Sequence, residues 1–368
     1  MKGALNKNIS NIIGKNINKK IVVIESDDWG SIRMPSKKVF KEMNQKGIDS
    51  YGDTARFNKY DTLASKSDLT ALFETLSLFR DIQGNTPVFT AVSVVANPDF
   101  IKIRDNDFRK YYYEPFTKTL EQYYGINNPF PLWLEGIKNK LFVPQFHGRE
   151  HLNVAVWMNA LRENDIETRY TFEQGCWGFN NKHRHGITYQ AAFDIENKEE
   201  LDQQEEIIKD GLDLFEKKFG YRAKYFVPPN GPFNNKLEKI SFDGGIKFMS
   251  KSKIQFEPIG NGINRKVFHY LGQKNKLGQY YITRNCFFEP SAPGKDWVDS
   301  CLKEISIAFR WHKPAVISSH RVNYIGVHSS LNRDNSLHKL TRLLENVLKT
   351  WSDVQFLTTD MLGEIIAK

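Results

Sequence analysis

The chain has 368 residues, 40% of them hydrophobic, 26% charged and 13% aromatic, with a formal net charge of +9. The hydrophobic and charged shares are ordinary for a soluble globular protein, the length is ample for a sizeable core, and the aromatic share is high, fitting either a thick core or a groove lined with rings. Lysine and arginine are spread without a long basic block, and no helix-turn-helix, Cys/His finger or RNA-binding signature occurs, which argues against nucleic acid as a partner. The cysteines Cys176, Cys286 and Cys301 form no CxxC pair, so neither a disulfide framework nor a thiolate metal site is indicated. No run of about 18 apolar residues occurs, so no membrane span is expected. The polar stretch 1–20 lacks the apolar region of a signal peptide, and the cytoplasm is the expected location. Nothing in the sequence sets the oligomeric state.

The first structured stretch is Ile21-Val-Val-Ile-Glu-Ser-Asp-Asp-Trp-Gly30, a β-favouring run that ends in adjacent acids. A helix over 36–46 follows, opened by Pro35-Ser36 and closed by Gly47; residues 49–65 are polar without periodicity and read as loop. Leu69, Leu72, Phe73, Leu76 and Phe79 predict a helix over 67–83. Residues 87–95, apolar on both faces, suit a strand of a parallel sheet covered by helices. An aromatic segment from Tyr111 leads to a helix over 132–140, and a strand over 141–146 delivers His147-Gly-Arg-Glu-His151. Next come a helix over 154–164, an irregular stretch over 168–193, a long amphipathic helix over 198–219, and a strand over 223–227 running into Pro228-Pro-Asn-Gly231. A strand over 246–250 precedes an antiparallel insert over 254–288. The chain closes with a helix over 297–311, a strand over 315–319 delivering His320, a helix over 336–350, a strand over 354–357 and a helix from 359. Alternating strands and helices with polar residues at strand ends predict a βα barrel or an open α/β sheet, in one domain over 1–368.

Asp27 and Asp28 at a strand end suggest divided labour, one carboxylate binding a cation and the other handling a proton; the bland alternative is a turn with helix-capping acids. His147 and His151, four apart, can reach one cation if the segment turns helically after its strand. Two histidines and a carboxylate with an open position make a common catalytic zinc site. The same residues also fit the H-x-x-E-H pattern of a peptidase class in which Glu150 is the base. Gly148 and the strand-like lead-in argue against the long helix such sites use, and Asp27, Asp28 and His320 would be left without a role.

Four motifs in order resemble those of the polysaccharide deacetylases, which remove N-acetyl groups from sugars: Ser26-Asp27-Asp28, His147-Gly-Arg-Glu-His151, Val227-Pro-Pro-Asn-Gly231 and Ile317-Ser-Ser-His320. The resemblance spans roughly 20–366 and implies a distorted (β/α) barrel of about seven parallel strands with an antiparallel insert. It implies Asp28, His147 and His151 as ligands of a divalent metal, most often zinc. Asp27 would be the base acting on metal-bound water, and His320 the acid that protonates the departing amine. The backbone N–H of Asn230 would help stabilise the oxyanion. The substrate would be an N-acetylated carbohydrate or a sugar-linked precursor, with Arg149 and Trp29 as further binding residues.

This sequence departs from that pattern at several positions. The family's arginine that pairs with the base is replaced by Val227, leaving Arg149, Arg184 and Arg321 as candidate substitutes. The acidic partner of His320 is either Asp296 or Glu289. Trp29 stands where the family has glycine and either stacks on a sugar ring or caps the barrel mouth. The long separation of Asp28 from His147 points to insertions at about 49–66, 97–130, 168–195 and 254–288, and His183 and His185 read as solvated residues in one of them. The loss of the arginine leaves open a non-catalytic barrel that binds carbohydrate or a partner. Hydrolysis of another C–N bond, in a cyclic amide or a peptide, is the remaining alternative.

Overall fold

β1 (Ile21–Trp29) is buried along its whole length, as its apolar run requires of a strand covered on both faces. The computed structural model describes residues 2–48 and 52–368. After β1 come β2 (Phe89–Ser93), β3 (Ala96–Pro98), β4 (Tyr113–Pro115), β5 (Phe142–Phe146), β6 (Tyr225–Phe226), β7 (Phe248–Ser250), β8 (Ile254–Gly260) and β9 (Ile263–Phe268). The last four are β10 (Tyr280–Ile282), β11 (Cys286–Phe287), β12 (Ala315–His320) and β13 (Gln355–Phe356).

Eight strands form one row in the order β10-β7-β6-β5-β2-β1-β12-β11, and β13 pairs with the start of β1. Every pairing in this sheet is parallel. The edge strands β10 and β11 do not pair, yet only Thr283, Arg284 and Asn285 separate them in sequence. Four Cα–Cα steps span about 15 Å at most, so the two edges must approach each other and the sheet must curl. The result is an incomplete barrel with eight strands in the row, against the expected seven or so.

Side chains alternate along β1. Ile21 and Val23 face a core shared with Val92, Phe248, Val316 and Leu362, the last from the closing helix Thr359–Ala367. Val22 and Ile24 face the outer core under the helices. Among the latter, Glu200–Phe219 buries Leu201, Ile208, Leu212 and Phe215 on one side and stops at Gly220, whose φ of 78° suits the turn. Other helices follow the periodicity closely, including Lys37–Gln45 capped by Ser36, Val154–Arg162 capped by Asn153 and Trp297–Arg310 capped by Asp296.

Several expectations need correction. The antiparallel insert within 254–288 is the β8–β9 hairpin, with one further antiparallel bridge between Lys274 and Tyr280, whereas β10 and β11 join the main sheet as parallel edge strands. Two- and three-residue strands between glycine turns look alike in sequence whichever partner they take. Within 49–65, residues 49–51 lie outside the described residues, and Gly52–Tyr60 is a helix rather than a loop. That helix has little apolar periodicity, and long-range polar contacts hold it: Asn58 donates to the Gly178 carbonyl, and Asp61 just beyond it pairs with Arg321. The stretch 168–193 opens inside a helix, Ile166–Glu173, capped by Asp165. Lys2–Ile12 is also helical, for which the polar sequence gave no signal.

Candidate active site

In a regular strand Asp27 and Asp28 would point to opposite faces. The β1–β2 register shifts between Ser26 and Trp29, and Asp28 takes a φ of 75°. Aspartate tolerates this left-handed conformation better than most residues, and the bulge turns both carboxylates toward the mouth of the barrel. Trp29 is thereby sent the other way, into the outer core.

Asp28, His147 and His151 form a buried triad whose potential ligand atoms all lie within 4.8 Å of one another. Asp28 Oδ1 is 3.4 Å from His147 Nε2 and 3.2 Å from His151 Nε2. His147 Nδ1 lies 2.7 Å from the Val227 carbonyl; donation there leaves Nε2 as the free lone pair facing Asp28. His147 Nε2 and His151 Nδ1 are both buried without a hydrogen-bond partner among the described residues. Burial keeps His151 below its usual pKa, which favours the neutral imidazole that a metal requires. Burial alone would raise Asp28, but the histidines outweigh it and hold the carboxyl well below the usual range. One carboxylate oxygen and two imidazole nitrogens, anionic and neutral respectively, fit a divalent cation. The two histidines do not share a helix: His147 ends β5, and Gly148, with φ 100°, turns the chain to bring His151 back.

Asp27 is gripped by Arg284, with Nη1 2.6 Å from Oδ2 and Nη2 2.7 Å from Oδ1. Arg284 also donates through Nε to Glu25, which lies one alternation below Asp27 on β1. Burial works against the charge on Asp27, but the guanidinium outweighs it and holds the carboxyl below its ordinary value. Glu25 is wholly buried and its carboxyl is raised, chiefly by that burial, although Tyr225 and Thr359 also donate to it at 3.0 and 2.9 Å. Arg284 was not among the arginines expected for this role. It comes from the three-residue crossing between the sheet edges, far in sequence from the Pro-rich loop, and only the closure of the curled sheet places it over β1.

His320 ends β12 beside Asp27, with Nε2 3.9 Å from Asp27 Oδ2. Its Nδ1 lies 2.6 Å from Glu289 Oε1, so Glu289, not Asp296, is its acidic partner. Asp296 instead caps the helix Trp297–Arg310. Burial disfavours the imidazolium, but the Glu289 carboxylate dominates and raises His320 to about 9. Asn323 and Arg56 hold the other oxygen of Glu289, at 3.0 and 3.4 Å.

A cavity of about 440 Å³ opens over these groups and is lined by Asp27, Asp28, His147, His151, Arg284 and His320. Asn230 also lines it, with φ 55°, from the turn that follows β6.

Other predicted residues lie elsewhere. Trp29 is fully buried edge-on to Trp133 and Phe142, with its indole N–H donated to Ser26, so it packs the core and does not meet a sugar. Arg149 is spent on Glu150 and Asp210, at 2.7 and 2.9 Å, with its guanidinium 4.3 Å from the centre of the Tyr113 ring, and it does not line the cavity. Its pairing also occupies Glu150, the base of the peptidase reading. Arg321 makes a buried fork with Asp61, Arg184 pairs with Glu196, and neither touches Asp27. His183 and His185 flank Glu196 at 3.5 and 3.9 Å, away from the cavity lining.

No protein-family model and no curated protein matches the sequence. Among solved structures, the chain is similar to a 4-α-glucanotransferase from Thermococcus litoralis, at 9% identity over 94% of this chain and 40% of that one, with a TM-score of 0.44. It is also similar to PuuE allantoinase, at 10% identity over 96% and 92% of the two chains with a TM-score of 0.44. A third similar structure is the peptidoglycan deacetylase PdaC from Bacillus subtilis, at 10% identity over 94% and 91% with a TM-score of 0.36.

Proposed function

We propose that the chain is a metal-dependent hydrolase that releases acetate from an N-acetylated sugar or sugar-linked precursor. The observation that carries the proposal is the placement of two differently prepared proton-transfer groups beside one metal-binding triad: Asp27 held anionic by Arg284, and His320 held cationic by Glu289. A divalent cation, with zinc the best match to the donors, would be held by Asp28, His147 and His151; it would lower the pKa of a coordinated water and polarise the substrate carbonyl.

The protein's own groups supply the rest. Asp27 accepts the proton of the attacking water, and Arg284 fixes the carboxylate in one orientation while keeping it ionised. The Asn230 backbone N–H is assigned to the carbonyl oxygen as negative charge develops there. His320 delivers a proton from Nε2 to the nitrogen that departs as an amine, with Glu289 orienting the ring through Nδ1. Glu25, Tyr225 and Thr359 form the buried floor that stops Arg284 from swinging away.

Arg284 also removes the motive for a non-catalytic reading, since the pairing cation has not been lost but moved to another part of the chain. The cytoplasm is the proposed location. The test is an acetate-release screen over N-acetylated sugars, run with zinc-loaded protein and with cyclic amides and peptides as competitors. Release from sugars supports the proposal, whereas turnover confined to a cyclic amide or peptide refutes it.

A further inference from the structure

The mouth of the cavity is framed by two segments that the chemistry does not use, the helix Lys2–Ile12 and the β8–β9 hairpin. They are tied together at the open end of the hairpin. Lys253 Nζ donates to the Ser10 carbonyl at 2.6 Å, and the Lys15 N–H donates to the Leu271 carbonyl at 2.8 Å. Both segments also reach the cavity, through Lys7 and Ser10 on one side and Lys253 and Gln255 on the other.

Their outer surfaces are apolar. Ile254 pairs with Phe268 across the hairpin, and Phe256 with Lys266, so these side chains share one face. That face is open to solvent: Phe256 is 61% and Phe268 65% exposed. Next to it Ile9, Ile12 and Ile13 are exposed at 55%, 52% and 66%. A β-ribbon that shows phenylalanine to water beside a helix that shows isoleucine marks an interaction surface.

Charge identifies the partner. Residues 1–24 and 251–276 together hold eleven lysines and arginines against one acid, Glu257. Lys7, Lys20, Lys251 and Arg265 are paired with Glu304, Asp353, Glu238 and Glu257, and Lys15, Lys19, Lys266, Lys274 and Lys276 are exposed and leave these segments positive. Glu257 is itself buried and paired with Arg265. A second copy of the chain docking about a two-fold axis would set this positive face against itself. An anionic bilayer offers the opposite charge and takes up the exposed rings and isoleucines.

We propose that this face docks on an anionic lipid surface, with the cavity mouth turned toward the headgroups. The docking stands apart from the hydrolase reading, because it is tested by binding alone. The experiment is co-sedimentation of the full-length protein with vesicles of phosphatidylglycerol and phosphatidylcholine, compared with vesicles of phosphatidylcholine only. The protein partitions at least about tenfold more strongly onto the anionic vesicles, and raised salt reverses this. Phe256→Ser with Phe268→Ser, and separately Ile12→Ser with Ile13→Ser, each lower that binding about tenfold. Ile166→Ser, at a residue 85% exposed outside these segments, leaves it unchanged. Equal binding to both vesicle types, no binding, or wild-type binding by the paired serine variants overturns the proposal. So does a wild-type dimer that the Phe256→Ser, Phe268→Ser protein breaks without any vesicle binding, which would assign the face to a second copy.

Discussion

Arg284 holds Asp27 through both carboxylate oxygens, at 2.6 and 2.7 Å, and reaches it from the seam between the two unpaired edges of the curled sheet. This pairing lets a buried acid remain ionised. Removing the guanidinium in Arg284→Met leaves Asp27 and Glu25 buried together without a cation, which costs about 3 to 5 kcal/mol of stability. It also lets burial raise the Asp27 carboxyl, so the acid limb of kcat/KM moves to higher pH. Arg284→Lys keeps the charge and loses the fork, and is expected to recover the limb but not the full rate. In the wild type the depressed Asp27 stabilises the fold above the unfolded carboxylate value, about 3.9, and that contribution is lost as pH falls through the folded value. Urea denaturation at several pH values checks the stability changes, and pH–rate profiles check the limbs.

The Glu289–His320 pair sets the other limb. His320 is raised to about 9, so activity that depends on its proton declines as pH rises through that value. Its contribution to stability is fully present below the unfolded histidine value of about 6.5 and is lost as pH rises through the folded one. Glu289→Gln removes the charge that raises it, and the alkaline limb moves to lower pH. An unmoved limb in this variant assigns the proton to another group.

Metal binding separates the two zinc-site readings of the histidine motif. Asp28→Ala lowers metal stoichiometry on the purified protein, whereas Glu150→Gln keeps it, since Glu150 is bonded to Arg149 and not to the triad. Elemental analysis of both variants after dialysis checks this; metal retained by Asp28→Ala favours the peptidase arrangement, in which Glu150 is the base and not a ligand.

Trp29 contributes packing. Trp29→Ala lowers stability by about 3 to 5 kcal/mol, as large-to-small changes of buried aromatics do. Trp29→Phe leaves KM unchanged within a factor of about two, because the ring lies edge-on to Phe142 with its centre 4.7 Å away and lines no part of the cavity. A large rise in KM with normal stability would restore the sugar-stacking role.

Much of the site was legible because its parts sit at the ends of long apolar strands. Asp27 and Asp28 follow Ile21–Ile24 and His320 follows Ala315–Ser319, so periodicity alone marked where they lie. Arg284 was not legible, since it occupies a three-residue step between strands of three and two residues whose parallel partners are distant in the chain. The bulge at Asp28 left no signal either, because aspartate is compatible with both extended and left-handed backbone. Arg149 and Trp29 stand next to site residues in sequence, but the turn at Gly148 and the bulge at Asp28 carry their side chains away from the cavity.

Acetate release by the zinc-loaded Asp27→Asn protein, measured beside wild type on the same N-acetylated sugar, is the most direct test of the account. We expect wild type to release acetate, and the variant to retain its metal while losing at least about 100-fold in kcat. Turnover near the wild-type rate in the variant, or a wild type that holds stoichiometric metal and releases no acetate from any sugar tested, would contradict it.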